Sequence, residues 1–353
     1  MTPSPSIVRR RTLGASLGLG DALFASNEEK SFARAIEAGL EKVEAGLTAQ
    51  LSFADDIADA AGRYLLDAGG KRVRPVLALL TAQLGEGASD DVVVAAQAVE
   101  ITHVASLYHD DVMDDAQVRR GVPSAQTVWG NSVAILTGDL LFARASKLIA
   151  GLGERALTIQ ADVFERLCLG QLHETVGPQP GQDPIEHYLG VLADKTGSLI
   201  SCAALVGVIF SNAPDEYRKP VEVFGEKVGV AFQLVDDVID LSAAIEQTGK
   251  AAGTDLRAGV PTLPLLYLRR EAQTDAEAAA LLARLDAGLA PDADTELFAQ
   301  AVAELREHPV TEATLAEARR WADDAVAALE PLPEGPVKKS LSRFAQAIVE
   351  RSG

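Results

Sequence analysis

Positive charge is scarce in this sequence. Its 353 residues carry 32 Lys and Arg against 51 Asp and Glu, a net charge of −19. A field of that sign repels nucleic acid and anionic lipid surfaces, so no nucleic-acid partner is expected. Cysteine is almost absent. Cys168 and Cys202 cannot staple a chain this long, and no cysteines stand at metal-site spacing. A reducing compartment, the cytoplasm, fits best. No stretch of eighteen or more residues is apolar throughout and free of charge, so no transmembrane segment is expected. Arg9, Arg10 and Arg11 precede an apolar run from Leu13 to Leu19. Small residues dilute that run and Asp21 ends it, unlike a secretory signal. Strand-like runs bounded by Asn-Gly or Asp-Gly turns are missing, as are fixed-period repeats and low-complexity tracts.

What is abundant is apolar surface, at 48% of residues, enough for a sizeable core. Residues 1 to about 28 read as a loose N-terminal arm, and 29–353 as one all-α domain. Helical spacing of apolar positions predicts helices over Ser31 to Leu51, Asp91 to Asp115, Ser132 to Gly151, Arg155 to Gly170, Lys195 to Phe210 and Val221 to Leu241. Pro and Gly punctuate the joins at Gly177 to Pro184 and at Pro214. From Glu271 to Glu350 the pattern is amphipathic and acidic, broken at Pro331 to Pro336.

Carboxylates cluster twice. His109-Asp110-Asp111-Val112-Met113-Asp114-Asp115 puts Asp110 and Asp114 on one helical face, one turn apart, with Asp111 and Asp115 on the adjacent stripe. His103 stands two turns before Asp110. Asp236-Asp237-Val238-Ile239-Asp240 repeats the spacing inside an apolar helix, with Gln233 one turn earlier. Like charges a turn apart destabilise a helix, and burying them costs more unless a cation neutralises them. Mg²⁺ takes one or two carboxylates and shares substrate phosphates. A lone Asp pair reads equally well as a solvated helix end. Two copies following apolar helices favour metal ions around a diphosphate.

Cations cluster as well: Gly69-Gly70-Lys71-Arg72-Val73-Arg74-Pro75, with Pro75 suited to a first helical turn, then Arg119-Arg120-Gly121, Lys195-Thr196-Gly197 and Lys250. Each alone reads as a surface patch. Together in an acidic chain they argue for a shared anionic ligand, because forked guanidiniums and helix N-termini both favour phosphate.

In this order, over residues from about 35 to 270, these segments resemble the trans-isoprenyl diphosphate synthase (polyprenyl synthetase) family. Gly69 to Pro75 matches its Gly-Gly-Lys-Arg-x-Arg-Pro. Asp110 to Asp114 matches the first aspartate-rich motif, with tandem Arg119-Arg120 after it. Lys195-Thr196 matches its Lys-Thr pair, and Phe232 to Asp240 its Phe-Gln-x-x-Asp-Asp-x-x-Asp, with Lys250 downstream. Gly170-Gln171 with Glu174 stands where the family carries a Gly-Gln or Gly-Glu element. The sequence departs at Val260, within Gly259 to Pro264, where the family often has a lysine.

The resemblance implies a single-domain, isoprenoid-synthase-type helical bundle around a central cavity. It implies an enzyme that condenses isopentenyl diphosphate with an allylic diphosphate, releases diphosphate and works as a homodimer. Several Mg²⁺ ions would be held by Asp110, Asp111, Asp114 and Asp236, which with Lys195 carry catalysis. Lys71, Arg74, His103 and Arg120 would hold isopentenyl diphosphate. Arg119, Lys195, Thr196, Gln233 and Lys250 would contact the allylic diphosphate, and Asp237 and Asp240 would orient ligands and waters from behind. No Ser-His or Cys-His nucleophile is evident, and none is needed. A class I terpene cyclase needs no second diphosphate site. A regulatory subunit usually lacks one or both of the aspartate motifs, and a metal-storage bundle needs facing Glu-x-x-His pairs.

In short-chain members, bulky residues four and five positions before the first Asp block the product tunnel. Here those positions hold the small Ser106 and Ala105, with Ala98, Ala96 and Ala95 further up. A long product is expected, about six to ten isoprene units at one unit per helical turn of about 5.4 Å. The alternative is a farnesyl or geranylgeranyl length. Tyr108, three residues after Ala105, is placed to narrow the tunnel.

Overall fold

The computed structural model describes residues 27–242, 252–290 and 294–351. Among them the chain forms helices α1 (Asn27–Gln50), α2 (Asp56–Asp67), α3 (Val73–Ala82), α4 (Asp90–Met113), α5 (Ala125–Trp129), α6 (Asn131–Ala150), α7 (Glu154–Val176), α8 (Pro184–Leu192), α9 (Ser198–Phe210), α10 (Arg218–Asp240), α11 (Thr254–Arg257), α12 (Leu263–Glu271), α13 (Ala276–Ala287), α14 (Thr295–Glu307), α15 (Pro309–Ala328) and α16 (Pro336–Glu350). Their starts follow from local chemistry. Asp55 accepts from the backbone of Ile57 and Ala58 at α2, Ser89 from Val92 at α4, and Asp183, ahead of Pro184, from Ile185 at α8. Each cap satisfies amides that the first helical turn leaves without partners.

Buried side chains fix the layout. α9 is apolar on nearly every side and packs against α3, α4 and α10. Thr81 of α3 donates its hydroxyl to Ala204 O of α9 at 2.7 Å. α4 lies along α6, and α10 along α15. The two helices that carry the aspartate motifs thus both flank α9. A second cluster, built on Leu281, Phe298 and Leu305, joins α12 to α14 beyond the main core.

Several expectations are corrected. A two-stranded antiparallel hairpin, β1 (Val118–Arg119) and β2 (Val122–Pro123), follows the first aspartate motif. Its turn uses Arg120 at φ 54° and Gly121 at φ 78°, so an Arg-Gly pair does what Asn-Gly or Asp-Gly usually signals. Asp115, at φ 48°, has left the helix, so the stripe pairing it with Asp111 does not form. Lys195 does not open α9. It lies on a π turn, Ala193–Gly197, that joins α8 to α9. α7 runs on six residues past Gly170, to Val176. Among the described residues, Pro184–Phe210 is long and apolar enough to cross a membrane, but 67% of its most apolar window is buried in the protein. The arm assigned to residues 1–28 falls outside the described residues save Asn27 and Glu28, which begin α1. Lys250 also lies outside them.

Candidate active site

The Gly69 to Pro75 loop enters α3 through Arg72, whose φ of 50° is left-handed. Its buried guanidinium explains why that conformation persists. Nε lies 2.6 Å from Glu44, Nη1 lies 3.5 Å from Glu100, and Nη1 and Nη2 reach Gly69 O and Leu66 O. Gly70, at φ 153°, has no room for a side chain, because a Cβ there would stand 2.3 Å from Arg72 Nη1 and 3.3 Å from Arg120. Arg120 reaches across from the hairpin turn and donates to Leu65 O and Gly69 O.

Arginines therefore converge on His103. Burial pulls its pKa well below the ordinary histidine value, and Arg74, Arg120, Arg119 and Arg72 push the same way, so the ring is neutral. Glu100, 2% exposed, is the buried counter-charge for this group. Arg74 is pulled down to about 10, first by burial, with Glu100 opposing and Arg120 adding. Its Nε is buried and, among the described residues, has no hydrogen-bond partner. Arg74, His103 and Arg120 thus come together as the sequence predicts. Lys71 does not join them. It lies 5.8 Å from the Phe232 ring of α10, and its pKa is lowered by burial and Arg351, with Asp236 opposing.

On the other side of α4's end, Asp114 closes the helix by donating its amide to Asp110 O at 2.8 Å. Asp111 is fully buried. Its Oδ1 accepts from Arg119 Nε at 2.7 Å, while Oδ2 is buried without a partner among the described residues. Burial raises Asp110 to about 6, aided by Asp114 and Glu174 against Lys195 and Arg119. Lys195 donates to Glu174 Oε2 at 2.5 Å. Burial depresses its pKa, but Asp110, Glu174 and Asp114 outweigh that and hold it above the ordinary lysine value.

The second motif is tied in from behind. Asp237, 5% exposed, accepts from Tyr188 Oη at 2.8 Å and from Leu263 N at 3.2 Å on its Oδ2, and burial pushes it up to about 7. Asp240 accepts from Asp255 N at 3.0 Å. Both hold the segment that follows α10. Asp236 is half-buried and lies 3.3 Å from Arg351 Nη2 at the C-terminus, whose guanidinium stacks 4.8 Å over Phe232. Gln233 and Thr196 are half-buried on α10 and on the π turn. Lys195 lies between Asp110 and Glu174, and Tyr188, which donates to Asp237, feels the charge of Glu174, so a line of neighbouring charged and polar groups links the two aspartate motifs.

Three participants escaped the sequence reading. Glu100 had a signal, an acid within the apolar run from Val92 to Val104. Tyr188 and Arg351 had none, since their contacts are 49 and about 115 residues away in sequence.

A divalent cation fits the donor set. Among the described residues no three acidic, imidazole or thiol groups could hold a metal by themselves, whereas Mg²⁺ commonly completes its shell with phosphate oxygens. The buried, unpartnered Oδ2 of Asp111 and Nε of Arg74 suit a cation and an anion respectively. Tyr108, which the sequence places to narrow a tunnel, spends its hydroxyl on α2. It donates to Ala61 O at 2.5 Å and accepts from Leu65 N at 3.2 Å. Ala105 is fully buried and Ser106 is 8% exposed.

Known proteins share this chain's sequence pattern and helical fold. The polyprenyl synthetase family pattern matches residues 55–303. A nonaprenyl diphosphate synthase of Mycobacterium tuberculosis is 42% identical over 343 residues, covering 97% of this chain and 98% of its own. A polyprenyl synthase of Caulobacter crescentus, solved with calcium and isoprenyl diphosphate, superposes with a TM-score of 0.82 at 31% identity, over 91% of this chain and 97% of its own. A geranylgeranyl pyrophosphate synthase of Corynebacterium glutamicum, also with calcium and isoprenyl diphosphate, gives 0.79 at 41% identity, over 93% and 99%. With the family pattern matched over residues 55–303 and a relative 42% identical over nearly its whole length, this chain belongs to the polyprenyl synthetase family.

Proposed function

We propose that this protein condenses isopentenyl diphosphate with an allylic diphosphate, releases diphosphate, and makes a product of about six to ten isoprene units, the kind used for a quinone side chain. One observation carries the reading. The first aspartate motif meets Lys195 and Glu174, close to Tyr188, which bonds Asp237 of the second motif, and a separate cluster gathers Arg74, His103 and Arg120. Two adjacent anion sites suit two diphosphates, which a terpene cyclase does not need.

Asp110, Asp111, Asp114 and Asp236 would hold Mg²⁺, which supplies Lewis-acid stabilisation of the leaving diphosphate. Lys195 and Thr196 contact that diphosphate directly, where a fixed cation acts on developing charge without reorganisation. Arg74 and Arg120 hold the second diphosphate and orient the double bond toward the allylic carbon. Neutral His103 donates a hydrogen bond there without adding charge. The apolar helices exclude water from the carbocation formed on ionisation. The proton lost after coupling leaves with the departed diphosphate.

Small residues at 105 and 106 support the long product, as does the nonaprenyl relative; the geranylgeranyl relative supports the alternative. An apolar face on α6 and α7, with Leu136, Leu172 and Val176 each more than half exposed, supports a homodimer. Unpaired Cys168 and Cys202 support a reducing, cytoplasmic setting. The test is incubation of radiolabelled isopentenyl diphosphate with several allylic starters and Mg²⁺, then sizing of the dephosphorylated products. Incorporation into chains of six to ten units is expected. No incorporation would overturn the activity, and chains of three or four units would overturn the length.

A further inference from the structure

Lys195 and Thr196 ride on a π turn, Ala193–Gly197, instead of a regular helix. Such a turn is intrinsically disfavoured and persists where its surroundings hold it. One stripe of α7 does so. Arg166, Gly170 and Glu174 recur every four residues and face the same way. Arg166 Nε donates to Asp194 Oδ1 at 2.8 Å, and its Nη2 lies 2.8 Å from Glu226 Oε2 of α10 and 3.4 Å from Ala193 O. A turn further on, Gly170 lets the two backbones touch, because a Cβ there would stand 2.8 Å from Lys195 N and 3.0 Å from Asp194 Cβ. Another turn on, Glu174 receives the Lys195 ammonium.

α10 closes the opposite side. A Cβ at Gly229 would stand 2.7 Å from Gly197 Cα, so only glycine allows that approach. Ser198 Oγ donates to Asp194 O at 2.5 Å and so occupies one carbonyl of the widened turn. Arg166 is thus the side chain that ties α7, the π turn and the helix of the second aspartate motif to one another. Its pKa is raised because the bonds to Asp194 and Glu226 outweigh its burial, so it is charged at every working pH.

We propose that Arg166 is a positioning residue that clamps this π turn and thereby sets the direction in which Lys195 and Thr196 project toward the allylic diphosphate. The proposal rests on the functional reading above for its consequence, though not for the clamp itself. Removing the guanidinium leaves the carboxylates of Asp194 and Glu226 without their shared cation, and the turn free to relax toward a regular helix. The side chains of Lys195 and Thr196 would then rotate away from the site. The isopentenyl diphosphate cluster, carried by α3, α4 and the hairpin, would be untouched.

The test compares Arg166→Met, Arg166→Lys and Gly170→Ala with the wild-type full chain. Steady-state KM for each diphosphate is measured alongside amide hydrogen exchange of residues 189–200. For Arg166→Met, KM for the allylic diphosphate should rise about tenfold or more, as small misplacements of binding groups do, with KM for isopentenyl diphosphate within about twofold. Exchange should quicken in the 189–200 segment and stay unchanged in α3. Arg166→Lys should recover part of both effects, and Gly170→Ala should reproduce them by pushing on the turn. Unchanged allylic KM with unchanged exchange would overturn the proposal. So would a uniform rise in exchange across the protein, which marks general destabilisation. A wild type without prenyl transfer, whose turn still loosens in Arg166→Met, would refute the functional reading and leave the clamp standing.

Discussion

Replacing Arg351 by Met removes a guanidinium that lies 3.3 Å from Asp236 Oδ1 and 4.8 Å over the Phe232 ring. Asp236 belongs to the proposed metal set, so Arg351 and a divalent cation compete for one carboxylate. Both partners of the ion pair are about a third exposed, which limits it to about 0.5 kcal/mol. The stacking on Phe232 adds a similar amount, about 0.5 kcal/mol. Together they favour the occupied carboxylate by about 1 kcal/mol, roughly fivefold. Arg351→Met should therefore lower the Mg²⁺ concentration that gives half-maximal turnover by about fivefold in dilute buffer. The difference should shrink to less than about twofold near 0.5 M salt, where screening shortens the reach of exposed charges. Arg351→Lys should lie between, since an ammonium keeps the charge but stacks and forks less well. The assay is initial rate against Mg²⁺ at saturating substrates. An unchanged half-saturation would refute the competition. A raised one would refute it too, by making the guanidinium a holder of diphosphate.

Other outcomes follow from the same geometry. Asp110→Ala and Asp236→Ala should each cost several orders of magnitude in turnover, and chelation should abolish activity until Mg²⁺ is restored; undiminished turnover in chelator would sink the mechanism. Ala105→Phe should shorten the product if α4 walls the tunnel, while Ser106→Phe checks the neighbouring face; an unchanged distribution from both means that this wall does not set length. Because Ala105 is fully buried, its variant should also lose about 1–3 kcal/mol of stability through overpacking, measured by urea denaturation. For pH, the fold holds Asp110 near 6 against an ordinary 3.8, so its protonated form is favoured in the folded state. That stabilising contribution is complete below about pH 4 and is lost as pH rises through about 6, on the order of 2–3 kcal/mol. Asp110→Asn should flatten the melting temperature of the metal-free protein across this window, and parallel curves for variant and wild type would refute it. Light scattering at micromolar concentration should give a dimer mass if the proposed pairing through the apolar face of α6 and α7 holds; a strict monomer would count against it.

Much of the molecule was determined by the sequence itself. Helical periodicity located α1, α4, α6, α9 and α10 to within a few residues, because a core built from one face of each helix leaves a regular apolar repeat. The aspartates at 110, 114 and 236 and the Lys and Arg clusters were equally legible. Chemistry at fixed short spacing survives any tertiary arrangement. Tertiary structure decided what depends on distant partners. The sequence grouped Lys71 with Arg74, but the turn at Arg72 sends the two side chains to different neighbours, Phe232 and Glu100. Tyr108 shares its helix with Ala105, yet its hydroxyl is claimed by α2. Arg351 reaches Asp236 only because α16 packs back against α10. The π turn under Lys195 has one local contact, Ser198 Oγ on Asp194 O, which by itself does not announce it. It exists because Arg166, Gly170 and Gly229, on two other helices, press and pin a backbone that its own residues would wind as an ordinary helix.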